Sequence, residues 1–245
     1  MTHERNLAVA MAVAISGCSA SLDRAPGRPP PGSVVPRPDA VTAFPQLYAA
    51  NCAGCHGSVG RGGAALALAD PVYLAIADDE AIRHVIGDGI SGSGMPPFAQ
   101  SAGGMLTDAQ VDALVRGIRG WSNPGALGGA APPPYADRRP GEGKRGALVY
   151  ATFCASCHGP TGHGGERASS IVDGSFLALV SDQYLRTIVI TGRPDLGAPD
   201  WRGDVPGRPM TSEEVGDVVA WLAAQRAAVP GQPYPHRAGI GGAGQ

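Results

Sequence analysis

Two short groups of sulfur and imidazole side chains stand out in this 245-residue chain. The first reads CAGCH from Cys52 to His56, and the second reads CASCH from Cys154 to His158. Cysteine sulfur forms covalent bonds and binds soft metals, and the imidazole nitrogen is a common metal ligand. Each group can therefore hold a metal ion, attach a metal-containing cofactor, or act as a redox pair of thiols.

The spacing within each group favours covalent attachment of c-type haem. In a C-x-x-C-H motif, two thioethers fix the porphyrin and the adjoining histidine binds the iron. A thioredoxin-like redox pair and half of a zinc site are the alternatives, and a second copy with the same surroundings disfavours both. The pattern predicts two covalently bound haem c groups, and the predicted attachment residues and proximal iron ligands are Cys52, Cys55, His56, Cys154, Cys157 and His158.

The similarity extends beyond the cysteines and indicates an internal duplication. Residues 48–63, YAANCAGCHGSVGRGG, match residues 150–165, YATFCASCHGPTGHGG, at an offset of 102. Further on, LTDAQV at 106–111 matches MTSEEV at 210–215 at an offset of 104. Each repeat has about 80 residues, a size at which a protein core alone is marginal and a cofactor commonly completes it.

With these motifs the chain resembles class I cytochromes c, as a tandem dihaem cytochrome c of lipoprotein type. The shared features are a tyrosine four residues before each first cysteine, the attachment motif, a glycine-rich loop and a closing amphipathic helix. The resemblance covers roughly Val41 to Trp121 and Gly146 to Val229. It implies an all-α fold of two small helical domains, each wrapped around one covalent haem.

Helices must position these groups. The pattern predicts an opening helix before each cysteine pair and a third helix at Asp78 to Ile86 and at Ser181 to Ile190. Closing helices are predicted to begin at Thr107 and Thr211, which are good N-caps followed by acidic residues.

The family resemblance also implies that aromatic residues pack where the opening and closing helices cross. In the second repeat these are Tyr150 and Trp221. In the first repeat Gly117 takes the place of that tryptophan, so Trp121, one turn later, is the expected substitute.

The repeats differ where the second axial ligand of iron is expected. GMPPF at 94–98 aligns with GAPDW at 197–201. In the family's G-M-P pattern Met95 supplies a thioether, which favours ferrous iron and raises the reduction potential. Met105 is the fallback ligand, whereas the aligned Ala198 has only a methyl group and cannot coordinate iron.

Three outcomes are open for the second haem. Met210 can ligate if the loop repacks, although it aligns with Leu106 and precedes an N-cap, where a hydrophobic staple is common. His163 or His236 can supply an imidazole. Otherwise the iron is five-coordinate or binds water.

The N-terminus predicts export. Residues 7–15 are a run of nine apolar residues, suited to a signal peptide and too short to span a bilayer. They lead into ISGC, which resembles a lipoprotein signal ending at Cys18, although an ordinary signal peptide with a chance cysteine is the alternative. Acylated Cys18 would anchor the protein on the periplasmic side of a bacterial membrane.

The remaining segments are connectors, and the net charge of −2 gives no field that favours nucleic acid. His84 is expected at the surface, and the basic residues near 138–145 are expected in a solvated hinge. The predicted organisation is a signal peptide at 1–17, a Pro-rich stalk at 18–40, cytochrome c domains at 41–121 and 146–229, an exposed Pro/Gly-rich linker at 122–145 and a flexible tail at 230–245.

Two classes of function follow. The first is an electron carrier, without catalytic residues, between a quinol-oxidising complex or dehydrogenase and an oxidase or similar acceptor, in a respiratory or photosynthetic membrane. The second is a haem enzyme whose open second haem performs peroxide, sulfur or nitrogen-oxide chemistry. Catalysis also needs acid/base groups over the iron, and loop 193–208 offers Asp195, Asp200 and arginines but no histidine. The sequence therefore favours the carrier.

Overall fold

The computed structural model describes residues 36–137, 139–203 and 205–227. Both repeats lie in one compact unit that begins at Asp39. The described residues form helices joined by loops, with isolated β-bridges and no strand among them, which confirms the all-α prediction. The predictions for the signal peptide, Cys18, His236, the tail and the stalk before residue 36 lie outside the described residues.

Each repeat contributes five α-helices. In the first repeat they are α1 (Phe44–Asn51), α2 (Ala53–His56), α3 (Pro71–Ile76), α4 (Asp79–Asp88) and α5 (Asp108–Arg119). In the second they are α6 (Gly143–Phe153), α7 (Ala155–His158), α8 (Gly174–Ala178), α9 (Asp182–Thr191) and α10 (Ser212–Ala223). Short 3-10 helices lie at Pro38–Ala40, Gln100–Ala102, Pro124–Leu127 and Pro194–Leu196.

The predicted helix starts are confirmed by side-chain caps. The Asp78 carboxylate accepts a hydrogen bond from the Ala81 N–H at the start of α4, and the Ser181 hydroxyl caps α9 in the same way. Thr107 and Thr211 each form a complete capping box at the start of a closing helix. Caps satisfy backbone N–H groups that have no partner within the helix, so short polar residues determine where these helices begin.

The opening and closing helices cross through aromatic contacts, as the resemblance implied. The rings of Tyr150 and Trp221 stack with centroids 4.3 Å apart. Tyr48 meets Trp121 edge-on at 5.1 Å, so Trp121 substitutes for the tryptophan missing at Gly117. A Cβ atom on Gly117 would lie 2.0 Å from the Phe44 ring, which shows that Phe44 fills the space above this glycine.

The two repeats share core contacts. Val72, on α3 of the first repeat, is buried in the cluster that contains Tyr150 and Trp201 of the second. In the opposite direction, Tyr184 and Ile188 on α9 pack against the core of the first repeat. The packing of one repeat therefore depends on the other.

Most of the described residues between the repeats are exposed, but parts of this segment are bound to the folded repeats. Pro133 is buried, and the guanidinium of Arg186 donates a 2.9 Å hydrogen bond to the Pro134 carbonyl oxygen. Gln183 binds the Tyr135 carbonyl oxygen at 2.8 Å. Helix α6 also begins inside the predicted linker, and Arg145 pairs at 2.7 Å with the buried carboxylate of Asp217. Backbone acceptors and charged side chains therefore hold the segment against the second repeat.

Candidate haem centres

The first centre is built on a single helical turn. Cys52 lies at the junction of α1 and α2, and its carbonyl oxygen accepts a 3.0 Å hydrogen bond from the His56 N–H. Cys52 is buried, Cys55 is exposed, and both thiols are free. This turn brings two unpaired thiols and an imidazole into one short segment, which is the donor set that a haem c requires.

The second centre repeats this arrangement. The His158 N–H donates a 3.0 Å hydrogen bond to the Cys154 carbonyl oxygen, and α7 has the same length as α2. Cys154 and Cys157 are partly buried and free. The residues present therefore fit one haem c in each repeat.

The histidines of both motifs are held in a tautomer that can bind a metal through Nε2. Nδ1 of His56 lies 2.7 Å from the Leu66 carbonyl oxygen, and Nδ1 of His158 lies 2.8 Å from that of Ser169. A carbonyl oxygen only accepts hydrogen bonds, so Nδ1 carries the proton and Nε2 keeps its lone pair for iron. Burial also lowers the pKa of His56, which favours the neutral ring.

Tyrosines fasten the loop that follows each histidine. The Tyr48 hydroxyl donates a 2.8 Å hydrogen bond to the Gly57 carbonyl oxygen, and Tyr150 makes the same contact with Gly159. Gly57 has φ of 81°, and a Cβ there would lie 1.8 Å from the Arg61 carbonyl oxygen. Only glycine fits this turn, which explains the glycine directly after each motif.

The loops expected to supply the second axial ligand have matching backbones. The Ile90 N–H donates a 2.9 Å hydrogen bond to the Met95 carbonyl oxygen, and the Arg193 N–H donates a 3.0 Å hydrogen bond to that of Ala198. The structure thus places Ala198 where the first repeat has Met95. Met95 is partly buried, whereas the fallback residue Met105 is 79% exposed.

The other candidate ligands of the second repeat lie elsewhere. The Met210 N–H donates a 2.8 Å hydrogen bond to the Trp201 carbonyl oxygen, as the Leu106 N–H does to Phe98, and the Met210 side chain is 7% exposed. His163 is exposed on the glycine-rich loop behind His158. Outside the centres, the side chain of His84 is 71% exposed and contacts Asp88.

An ion pair, which we call the clasp, connects a loop of the second repeat to a loop of the first. It was not predicted from the sequence. Arg193 pairs with Asp195 at 2.8 Å, with side chains that are only 11% and 15% exposed. Arg193 also donates to the Gly63 carbonyl oxygen at 2.8 Å, and Asp195 accepts from the Gly62 N–H at 3.1 Å. Arg193 lies 130 residues from Gly63 in sequence, and Asp195 lies 133 residues from Gly62, so no local pattern predicts these contacts. The clasp joins loop 193–198 to the loop that follows His56.

Replacing Asp195 by Ala should destabilise the holoprotein by about 1–3 kcal/mol, because Arg193 would remain largely buried without its partner. The matched control is Asp112→Ala at the exposed pair with Arg83, where the expected loss is below about 1 kcal/mol. Both losses in the free energy of unfolding would be measured by denaturant unfolding at neutral pH.

The loss caused by Asp195→Ala should also depend on pH. The hydrogen bond from Arg193 lowers the pKa of Asp195, so the carboxylate stabilises the fold above its unfolded pKa. This contribution disappears as the pH falls through the lower pKa of the folded state. If Asp195→Ala and Asp112→Ala lose the same free energy of unfolding, the clasp stabilises the fold no more than an exposed ion pair does. A loss in Asp195→Ala that does not depend on pH would lead to the same conclusion.

The part of the chain that the structure describes contains neither a membrane-spanning helix nor a cluster of side chains that could bind a metal ion directly. No helix there is long and apolar enough to cross a bilayer. The same residues contain no group of three or more His, Cys, Asp or Glu side chains arranged to hold a metal ion.

A curated relative, the cbb3-type cytochrome c oxidase subunit FixP of Sinorhizobium medicae (strain WSM419), is 29% identical over 136 residues. The match covers 51% of this chain and 41% of FixP, so the chain spans less than half the length of this relative.

Two solved structures also match. The KustC0563 c-type cytochrome is 31% identical over 33% of this chain and 99% of its own, with a TM-score of 0.29. A chain of the Kuenenia stuttgartiensis reducing HAO-like protein complex Kustc0457/Kustc0458 is 18% identical over 75% of this chain and 96% of its own, with a TM-score of 0.40.

The family profile described as cytochrome c oxidase, cbb3-type, subunit III matches residues 39–116 and 141–222. Each matched stretch contains one C-x-x-C-H group with its oriented histidine. Cytochrome c domains hold haem c covalently, and two such stretches are consistent with two haems. The chain is a tandem class I cytochrome c and belongs to the family of the cbb3-type cytochrome c oxidase subunit III.

Proposed function

We propose that this protein is a lipid-anchored dihaem cytochrome that carries electrons between a quinol-oxidising complex or dehydrogenase and an oxidase or similar acceptor. When bound, each haem c supplies a one-electron ferric/ferrous couple. The observation that carries the proposal is the pair of complete donor sets within one compact unit. Electron transfer follows from the cytochrome c family, and the finer roles below are proposals.

The chain's own residues attach and orient the two haems. Cys52 and Cys55 form the thioethers of the first centre, and Cys154 and Cys157 those of the second. His56 and His158 present Nε2 to iron because the Leu66 and Ser169 carbonyl oxygens hold Nδ1. Met95 is proposed as the second axial ligand of the first haem, whereas Ala198 leaves the second haem without an aligned methionine.

The proposed partners are redox proteins and a membrane surface. FixP is named as a subunit of a cbb3-type oxidase, which supports an oxidase as the acceptor. The signal pattern before Cys18 supports export and anchoring on the periplasmic side of a bacterial membrane. The net charge of −2 supports protein partners without nucleic acid.

A membrane assay tests the carrier role and the anchor together. The full chain and its Cys18→Ser variant are produced in a host competent in c-type maturation. They are then added to vesicles that hold a quinol-oxidising complex and a haem–copper oxidase. The full chain should sediment with the vesicles and increase quinol-dependent oxygen consumption. Cys18→Ser should keep its haem content, remain in the supernatant and need a higher bulk concentration for the same rate.

The two parts of the proposal fail separately in this assay. If quinol does not reduce the haems through the complex, the protein does not carry electrons from that donor. If Cys18→Ser still sediments with the vesicles, lipid is not the anchor.

A haem enzyme with an open second haem is the second candidate, and Ala198 in the place of Met95 favours it. However, two carboxylates of this loop are engaged in ion pairs. Asp195 pairs with Arg193 at 2.8 Å, and Asp200 pairs with Arg202 at 2.5 Å. The hydrogen bond from Arg193 lowers the pKa of Asp195, so this carboxylate is a poor proton donor near neutral pH, which supports the carrier.

A further inference from the structure

The starting observation is that the loop at 192–198 keeps the backbone of the Met95 loop in the first repeat and has no sulfur at the matching position. Gly192 begins this loop with φ of 63°, as Gly89 does with φ of 67° in the first repeat. A Cβ on Gly192 would lie 2.8 Å from the Ala198 carbonyl oxygen, and one on Gly89 would lie 2.7 Å from that of Met95. Ala198 therefore occupies the position of the axial methionine, and a methyl group does not bind iron.

Contacts inside and outside the loop prevent it from repacking easily. Arg193 and Ala198 exchange two backbone hydrogen bonds of 3.0 Å each, which close the loop on itself. The Arg193–Asp195 ion pair then fastens the loop to Gly62 and Gly63 of the first repeat. A rearrangement that brings a distant ligand to the iron would have to break this clasp.

Met210 is held in a structural position. It lies where the first repeat has Leu106, with the same backbone hydrogen bond to the aromatic residue of the preceding loop. Its side chain packs in the buried cluster with Trp201 and Val215. Leu106, which has no coordinating atom, fills the matching position in the core of the first repeat, so packing alone accounts for Met210.

His163 belongs to the loop that directly follows His158. The N–H of the next residue, Gly164, donates a 3.0 Å hydrogen bond to the His158 carbonyl oxygen. The exposed imidazole thus belongs to the loop of the proximal histidine. Among the described residues of the second repeat, no other methionine or histidine remains to complete the coordination.

Given the haem attachment in the proposed function, we infer that the second haem binds small uncharged diatomic ligands, because Ala198 leaves one axial position of its iron to exogenous molecules. Carbon monoxide is the probe, since it binds ferrous haem whose axial position is open and competes poorly with a bound thioether. The first haem, ligated by His56 and Met95, should not bind it under the same conditions.

The test is a titration of the fully reduced holoprotein with carbon monoxide, followed by absorbance and referred to covalent haem measured on the same sample. The unmodified protein should bind one carbon monoxide for every two haems. Ala198→Met restores the residue of the first repeat and should lower this binding at least tenfold. The control Met210→Leu copies Leu106 and should leave the stoichiometry unchanged.

Two results overturn the inference. If the unmodified protein has two haems, binds no carbon monoxide and gains one equivalent in Met210→Leu, then Met210 is the ligand. If it binds none and gains one equivalent only in His236→Ala, then the ligand is that histidine. If Ala198→Met does not assemble, the unmodified and Met210→Leu proteins decide the question. A chain that carries one haem instead contradicts the proposed function, so the two failures are distinguishable.

Discussion

Changing both Cys154 and Cys157 to Ala is expected to halve the covalent haem of the protein and also to weaken the first domain. The haem count falls because the second porphyrin loses both thioethers. The first domain weakens because Val72 packs into the core of the second repeat, and a fully buried valine contributes about 1.5–3 kcal/mol. Tyr184 and Ile188, which cover the core of the first repeat, would also lose their support.

The measurement combines intact-protein mass with unfolding followed at the Soret band of the remaining haem. The matched control is the mirror variant, Cys52→Ala with Cys55→Ala, which should also retain one haem. If the remaining haem unfolds at the same denaturant concentration as in the unmodified protein, the repeats are energetically independent. A variant that retains two haems would contradict the attachment sites themselves.

Met95→Ala is expected to abolish the near-infrared sulfur-to-iron band and to lower the reduction potential of the first haem. The reason is that Met95 would be the only thioether bound to iron, and loss of His/Met ligation removes the preference for ferrous iron. Carbon monoxide binding should rise from one to two equivalents per chain, because both irons would then have an open position.

The matched control is Met105→Ala, since this neighbouring side chain is 79% exposed and should not affect the spectrum. Retention of half of the band in Met95→Ala would show that Met210 ligates the second haem. Retention of the whole band would remove Met95 from the coordination sphere and leave Met105 as the ligand to test.

Features that depend on neighbours in sequence could be predicted from the chain alone. The C-x-x-C-H spacing follows from one turn of helix, which the structure confirms through the hydrogen bond between His56 and Cys52. The starts of α5 and α10 follow from Thr107 and Thr211, because a cap acts on backbone groups two or three residues away. The contrast between Met95 and Ala198 was visible from the duplication.

Features that depend on distant partners were decided only by the tertiary structure. Composition predicts a connector in the proline- and glycine-rich segment after Trp121, but it does not show where the backbone carbonyl groups of this segment find hydrogen-bond donors. Arg186 and Gln183 bind that segment, so it is held in place although its sequence is typical of a solvated spacer. The flexibility of a linker follows from its own residues and can be predicted from them. Its docking depends on side chains of a helix that lies elsewhere in the sequence.

The relation between the two centres shows the same division. The sequence determined that there are two similar donor sets and that one of them lacks an axial methionine. It did not show that Arg193 would reach Gly63, because these residues are 130 positions apart and no local pattern links them. Helices α3 and α9 pack against each other, and this long-range contact accompanies the approach of the two loops. Local spacing thus specified the chemistry of each centre, and long-range packing decided how the centres are joined.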